Sequence, residues 1–340
     1  MKILGIETSC DDTCVAIYDE SKGIIANEIC KQDKIHNLYG GIVPELASRN
    51  HMKNIIPLIK KTFKISKTLY HEISGIAYTA GPGLIGSLLI GATLSKSLGF
   101  SWNVPTKKIN HMEGHLLTPM LENKKILFPF TALLVSGKHT QIINAISLGN
   151  YKIIGNSLDD AAGEVFDKIS NILGLGYPGG KKISKLAKKN NSKNIKFPRP
   201  MTKNNKDLNF SFSGLKTFVI NEISKININN YQIKANIAYA FENAIVDTLI
   251  IKIKRALKLT KHKNLIISGG VSANHKLRSK MSKIFKKKNI NIFYPSKNLC
   301  TDNGAMIAYA GMLHFKNSLT SNFDLEINVY PKWLISDIKY

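Results

Sequence analysis

The chain has 340 residues, 44% of them hydrophobic, which is enough to bury a large core and favours two lobes over one. Disordered and fibrous classes are thereby excluded, and the absence of an apolar run of roughly 18 residues or of a signal-peptide pattern makes a cytoplasmic protein without membrane partners the expectation. The formal charge of +25 invites a polyanionic partner through counterion release, yet 44 lysines against 4 arginines, beside many Ile and Asn, is also what A/T-rich coding produces.

In chain order, Lys2 to Ser9, the polar turn Cys10-Asp11-Asp12-Thr13 and apolar Val15 to Tyr18 predict a β-hairpin. Ile73 to Tyr78 predicts a short strand, followed by Gly81-Pro82-Gly83 and a small-residue helix from about Leu84 to Gly99 whose glycines permit close packing. Thr131 to Val135, the turn Ser136-Gly137-Lys138-His139-Thr140 and Gln141 to Ile143 repeat the opening device about 125 residues later, which predicts two related lobes. Asp159 to Leu173 predicts a helix with an acidic first turn, ending in a Gly/Pro loop from Gly174 to Gly180. Residues 181–209, rich in Lys and Asn, predict an exposed insertion. Helices are expected from Lys216 to about Leu259, then a strand, Leu265 to Ser268, that meets Gly269-Gly270-Val271-Ser272-Ala273-Asn274. A strand from Ile290 to Tyr294 and a helix from Asn303 to about Phe315 complete an α/β alternation. The four cysteines, Cys10, Cys14, Cys30 and Cys300, fit neither a disulfide framework nor a Cys-x-x-Cys motif and are expected as reduced thiols.

His111 and His115, four residues apart on a helix, place their rings on one face and can share a divalent metal; surface or capping histidines give the same spacing. The order is not the His-Glu-x-x-His of zinc proteases, because Glu113 lies two residues after His111 and projects about 200° away from it. Asp302 is a candidate third ligand, although its place just before a helix suits an N-cap better. Gly269 to Asn274, between a strand and a helix, offers backbone amides to a nucleotide, but matches neither a Walker loop nor Gly-x-Gly-x-x-Gly and reads more readily as a tight turn. Ser9 to Asp12 and Ser136 to His139 offer hydroxyls and amides to phosphates, with Asp11 a candidate base or metal-water contact; Asp is also common in plain turns. Asp160, Glu164 and Asp167 are spaced to share a helix face, either as a solvated acidic face or as a ribose or cation site.

Taken together, several stretches resemble the bacterial family of tRNA N6-adenosine threonylcarbamoyltransferases, formerly labelled O-sialoglycoprotein endopeptidases. They are Gly5 to Asp11, Gly41 to Arg49, Thr79 to Gly83, His111-Met112-Glu113-Gly114-His115, Asp159 to Asp167, Phe210 to Thr217, Gly269 to Asn274 and Thr301 to Ala305. The resemblance covers nearly the whole chain. It implies a two-lobed α/β fold of the actin, Hsp70 and sugar-kinase type with duplicated lobes: an N-terminal lobe over 1–130, and a C-terminal lobe over 131–340 that includes a helical insertion and a C-terminal segment. It also implies transfer of a threonylcarbamoyl group from threonylcarbamoyl-AMP to N6 of adenosine 37 in tRNAs reading codons that begin with A, with release of AMP. Under it, His111, His115 and Asp302 hold one divalent metal ion per subunit, iron or zinc, and Leu134, Val135, Ser136, Gly137, Lys138, Asp167, Gly180 and Asn274 bind substrate. Asp11 is the candidate to receive the proton of the exocyclic amine. The implied partners are tRNA, a smaller paralogous subunit that pairs through the N-terminal lobe, and an ATPase subunit.

Two positions depart from the family pattern: Lys138 stands where a second glycine is usual in a phosphate-facing turn, and Asp12 replaces a glutamate; Leu134 stands where archaeal and eukaryotic relatives have a metal-binding tyrosine. Competing readings are a kinase or chaperone of the same fold, against which an imidazole pair speaks because such enzymes bind magnesium through oxygen, a zinc peptidase, and a tRNA-binding subunit without catalysis.

Overall fold

A computed structural model describes residues 1–39, 41–188, 195–204, 206–225, 230–317 and 325–338. The chain forms two compact units, one comprising Met1–Lys125 with Thr301–Tyr340 and the other Ile126–Cys300.

In the first unit, strands β1 (Lys2–Glu7), β2 (Thr13–Asp19) and β3 (Gly23–Cys30) form an antiparallel meander. A short α1 (Asp33–His36) and the long α2 (Pro44–Ser66) lead to β4 (Gly75–Gly81), α3 (Ile85–Trp102), β5 (Thr106–Asn110) and α4 (His111–Glu122). The sheet order is β3-β2-β1-β4-β5, with β4 parallel to both β1 and β5. Helices pack on both faces of this sheet, which is why β2 and β4 are buried at every position instead of alternating.

The second unit repeats the plan. Strands β6 (Phe130–Val135), β7 (Thr140–Ser147) and β8 (Asn150–Asn156) form the meander. Then come α5 (Ala162–Ile172), α6 (Gly179–Ala187), α7 (Ser213–Ser224), α8 (Tyr231–Thr260), β9 (Asn264–Ser268), α9 (His275–Lys286) and β10 (Asn291–Phe293). Its sheet order, β10-β9-β6-β7-β8, is the first sheet's order read from the other edge, with β9 parallel to β6 and β10. The repeated hairpins are thus the visible part of two five-stranded sheets of one topology.

The sequence predicts a second lobe running from 131 to 340, but Thr301–Tyr340 belongs to the first unit. The reason lies in α10 (Gly304–Asn317), whose small and apolar residues are buried almost all round, the signature of a helix enclosed by protein. It packs on β1, β2 and β4 and against α4.

The expected exposed insertion over 181–209 is also corrected where it is described; residues 189–194 and 205 lie outside the described residues. Ile183, Leu186, Phe197 and Leu208 are buried in the second unit's core. Lys252 of α8 reaches beneath the segment, where its ammonium donates to the carbonyls of Met201 at 2.7 Å and Asp207 at 2.9 Å and pairs with the Asp207 carboxylate at 3.1 Å. A buried ammonium with three acceptors keeps its charge without an unmet donor.

A Cβ on Gly5 would lie 2.3 Å from the Gly304 oxygen and 2.5 Å from the Ala308 nitrogen, backbone atoms that cannot swing aside. Gly5→Ala is therefore expected to lower the unfolding free energy by about 1–3 kcal/mol. A urea titration checks this against Gly41→Ala, where a Cβ meets nothing within 4 Å and the change should stay under about 0.5 kcal/mol.

Candidate functional site

The first unit gathers the predicted metal ligands. α4 begins directly after β5, and the Asn110 side chain caps it by accepting from the amides of Met112 at 2.9 Å and Glu113 at 3.3 Å. That start sets His111 and His115 one turn apart, with ring centroids separated by 4.8 Å. Asp302 lies two residues before α10, and its Oδ1 is 3.0 Å from His115 Nε2 and 3.7 Å from His111 Nε2. The capping role that the sequence assigns to Asp302 is taken by its neighbour, since Asn303 Oδ1 accepts from the Met306 amide at 2.9 Å. Asp302 is left to face the histidines. One nitrogen from each ring and one carboxylate oxygen all lie within 4.8 Å of one another, so the three donors fit a single metal ion.

Behind this cluster sits Glu7, at the end of β1 and fully buried. His111 Nδ1 lies 3.0 Å from Glu7 Oε2 and 3.1 Å from Ser9 Oγ, while Thr79 Oγ1 and the Ser9 amide also donate to the carboxylate. Burial alone would raise the Glu7 carboxyl, but the charge and hydrogen bond of His111 more than offset it and hold it below its ordinary value. A carboxylate on Nδ1 directs Nε2 toward a metal and fixes the ring.

The turn after β1 is held from α2. His51, fully buried, lies 2.8 Å from Thr13 Oγ1 through Nδ1 and 3.0 Å from the Cys10 carbonyl through Nε2, and burial pulls its proton affinity down. A neutral ring therefore donates from Nε2 and accepts at Nδ1. Asp11 and Asp12 are part-buried on this turn, outside the three converging ligand atoms. Burial first, then the charges of Asp11 and Asp302, push the Asp12 carboxyl up to about 7. A cation close by would pull it back down.

Glu113 lies on the opposite side of α4, as its offset requires, fully buried with Oε2 3.0 Å from His314 Nε2 of α10. It ties the helix that carries the two histidines to the helix that follows Asp302. A hydrolytic base facing a metal would need the other side.

In the second unit, glycines bring the remaining motifs together. A Cβ on Gly163, in α5, would lie 2.4 Å from the Ser136 carbonyl oxygen, and one on Gly269, at φ +91°, would lie 2.5 Å from that of Val135. Leu134 and Val135 end β6 as buried residues, and the turn Ser136-Gly137-Lys138 follows them. Lys138 keeps an ordinary negative φ, so a lysine fits this turn without left-handed backbone. Asp167 Oδ1 accepts from the Gly179 amide at 2.6 Å, and Gly180 at the start of α6 faces open space. Asn274 caps α9 by accepting from the Leu277 amide at 2.9 Å, and its Nδ2 donates to Glu242 Oε1 at 2.8 Å and Ser184 Oγ at 2.9 Å.

The acidic cluster resolves differently from its predicted shared face. α5 begins at Ala162, so Asp160 precedes it. Asp160 pairs with Lys216 at 2.5 Å and Lys168 at 3.4 Å, Glu164 pairs with Lys168 at 2.6 Å, and Asp159 accepts from Ser211 Oγ and the Phe212 amide. These carboxylates anchor α5 and α7 through lysines and amides, with Asp160 and Glu164 sharing Lys168.

A family model described as TsaD, tRNA N6-adenosine threonylcarbamoyltransferase, matches residues 23–309. The chain belongs to this family. Among curated relatives of that name, one from Buchnera aphidicola subsp. Acyrthosiphon pisum (strain Tuc7) is 59% identical over 340 residues, covering 99% of each chain. Another, from Wigglesworthia glossinidia brevipalpis, is 54% identical over 338 residues, covering 99% of this chain and 98% of the relative. Among solved structures, T.kodakarensis HypF gives a TM-score of 0.63 at 13% identity, over 93% of this chain and 48% of that one. The activator of the 2-hydroxyisocaproyl-CoA dehydratase from Clostridium difficile gives 0.54 at 14% identity, over 94% and 97%. Those structures speak to fold alone, the two-lobed α/β arrangement of the actin, Hsp70 and sugar-kinase type. Family membership makes this transferase a tRNA-modifying enzyme.

Glu7, His51, His314 and Glu242 carry no functional role in the sequence reading. A charged residue closing an apolar strand is the one available signal, and it applies to Glu7. Glu7→Gln, similar in size but without charge, is expected to weaken metal binding by the full chain about 10–100-fold. Competition with a chromophoric chelator reads this directly, and unchanged affinity would remove Glu7 from the centre.

Proposed function

We propose that this transferase moves a threonylcarbamoyl group from threonylcarbamoyl-AMP to N6 of adenosine 37 in tRNAs that read codons beginning with A. The single observation that carries the reading is the convergence of His111, His115 and Asp302 in a chain of this family. Two imidazoles and one carboxylate suit iron(II), with zinc second, and leave coordination positions open. A metal ion held there supplies Lewis-acid stabilisation of the charge that develops on the donor's oxygens.

The chain's own residues do the rest. Glu7 and Ser9 orient His111, and the α4–α10 clamp of Glu113 and His314 keeps the histidines in register with Asp302. Backbone groups of Leu134, Val135, Ser136, Gly137 and Lys138, with Asp167, Gly180 and Asn274, hold the adenylate. Because the Asn274 side chain is spent on α9, Ser184 and Glu242, its part is to fix the glycine turn, whose backbone meets the substrate. In the transfer step the N6 lone pair bonds to the carbamoyl carbon. The bond from that carbon to the phosphate oxygen breaks and AMP leaves with its electron pair. The N6 proton passes to Asp11.

The reading includes tRNA, a smaller paralogous subunit and an ATPase subunit as partners, and a cytoplasmic setting. Exposed apolar side chains on two neighbouring helices support the second of these: Met52 (66% exposed) and Ile56 on α2, and Ile85 (60% exposed) and Leu89 on α3. Among the described residues, no helix is long and apolar enough to cross a membrane. Buried Glu113 speaks against a zinc peptidase, and the imidazole donors speak against a magnesium-dependent kinase.

Incubation of the full chain with its partner subunits, tRNA and threonylcarbamoyl-AMP is expected to yield modified adenosine and AMP. Asp11→Asn should cut the rate about 10²–10⁴-fold while adenylate affinity stays unchanged. An undiminished rate removes Asp11 as the base, and peptide cleavage without modified adenosine overturns the whole reading.

A further inference from the structure

α6 presents two different faces. Gly180 and Ser184, four residues apart, share one of them, and Ser184 is hydrogen-bonded to Glu242 at 2.6 Å and to Asn274. Lys182, Lys185 and Leu186 share another, and there they line a cavity of about 300 Å³ together with Leu175 and Tyr231. Tyr231 opens α8 and is 54% exposed. The Lys182 ammonium donates to the Tyr177 carbonyl at 3.0 Å, which holds that cation over the loop before α6.

The two stretches of chain that line this cavity carry side-chain charge of one sign. From Asn171 to Lys188 and from Asn230 to Phe241 the chain has no Asp or Glu, whereas Lys181, Lys182, Lys185, Lys188 and Lys234 fall within these stretches. Elsewhere in the same unit lysines meet carboxylates, as Lys168 and Lys216 do at Asp160 and Lys280 does at Asp247. A diffuse lysine excess from A/T-rich coding does not account for two acid-free, lysine-bearing stretches meeting at an apolar pocket with an aromatic ring at its rim. Cations on a groove wall beside an exposed aromatic ring are what an RNA strand requires: phosphates against the ammonium groups, and a base stacked on a ring that accepts any base.

We infer that the cavity formed by Leu175, Lys182, Lys185, Leu186 and Tyr231 is a contact site for the tRNA substrate, taking one unstacked base on Tyr231 and the flanking phosphates on Lys182 and Lys185. This rests on the transfer reading above and adds to it the surface that receives the RNA. α6 then serves both substrates, with Gly180 toward the adenylate and Lys182 and Lys185 toward the RNA. The site is sequence-tolerant, because stacking and phosphate contacts read no base edges.

The test measures binding of the full chain to unmodified tRNA across a salt series. Lys182→Glu combined with Lys185→Glu is expected to weaken binding at least tenfold and to make the slope of log affinity against log salt shallower by about two. Tyr231→Leu should weaken binding roughly tenfold without changing that slope, and Tyr231→Phe should restore it. Lys254→Glu combined with Lys258→Glu, the same charge change at exposed positions late in α8, should lose less than threefold. Affinity for threonylcarbamoyl-AMP, measured on every variant, should match the parent chain and so show that each one is folded. Pocket variants that bind tRNA like the parent, or a loss equalled by the Lys254 and Lys258 control, would overturn the site. Failure of the parent chain to bind tRNA even with its partner subunits present would instead overturn the transfer reading.

Discussion

Close contact between α10 and the first sheet is the constraint on which the candidate metal site depends. A Cβ on Gly5 would meet the Gly304 oxygen at 2.3 Å, one on Gly304 would meet the Ala16 nitrogen at 2.5 Å, and one on Gly311 would meet the Ala77 side chain at 2.3 Å. Only side chains of this size let the helix lie so close to β1, β2 and β4. The approach sets the position of α10's first residue, and Asp302, two residues earlier, arrives beside His115. A side chain inserted between helix and sheet would move Asp302 away from the two histidines.

The same device recurs in the second unit with different consequences. Gly163 and Gly269 admit α5 and the turn after β9 to within contact of the carbonyls that end β6. Instead of a ligand cluster this produces a bed of backbone groups, backed by side chains that satisfy one another. Glu242, nearly buried, accepts from Ser184 and Asn274 and pairs with Lys276, whose ammonium also sits 3.9 Å from the centre of the Tyr239 ring. A buried carboxylate so fully partnered is costly to break, which gives α6, α8 and α9 one fixed relation. The two sheets share a topology, while the chemistry placed at their strand ends has diverged: imidazole and carboxylate in one, amide and hydroxyl in the other.

What the sequence made legible was local. Both hairpins, the strand–helix alternation and the shared face of His111 and His115 follow from periodicities of two and 3.6 residues, and the structure has each of them. The offset that turned Glu113 away from the histidines also held, because helix geometry alone decides it. Three kinds of feature lay beyond that reach. Asp302 and Asn303 are adjacent polar residues before a helix, and which one caps and which one faces the histidines depends on contacts with α4, some 190 residues away in sequence. The lobe boundary failed because α10 carries no mark of the sheet it packs on. Glu7, His51 and His314 are buried polar side chains whose partners lie 104, 38 and 201 residues distant. Of the two departures, Asp12 lies in a turn that His51 holds through Thr13 and Cys10, and Lys138 in a turn with ordinary backbone angles.

The account therefore stands on three donors from two helical segments meeting at one ion. X-ray absorption at the metal edge, on full chain loaded with one equivalent of iron(II), tests this most directly. Two imidazole nitrogens and at least one carboxylate oxygen at about 2.0–2.2 Å are predicted, with the oxygen contribution reduced in Asp302→Ala and binding lost when both histidines are replaced. Sulfur in the first coordination sphere, or a spectrum indifferent to all three substitutions, would contradict it.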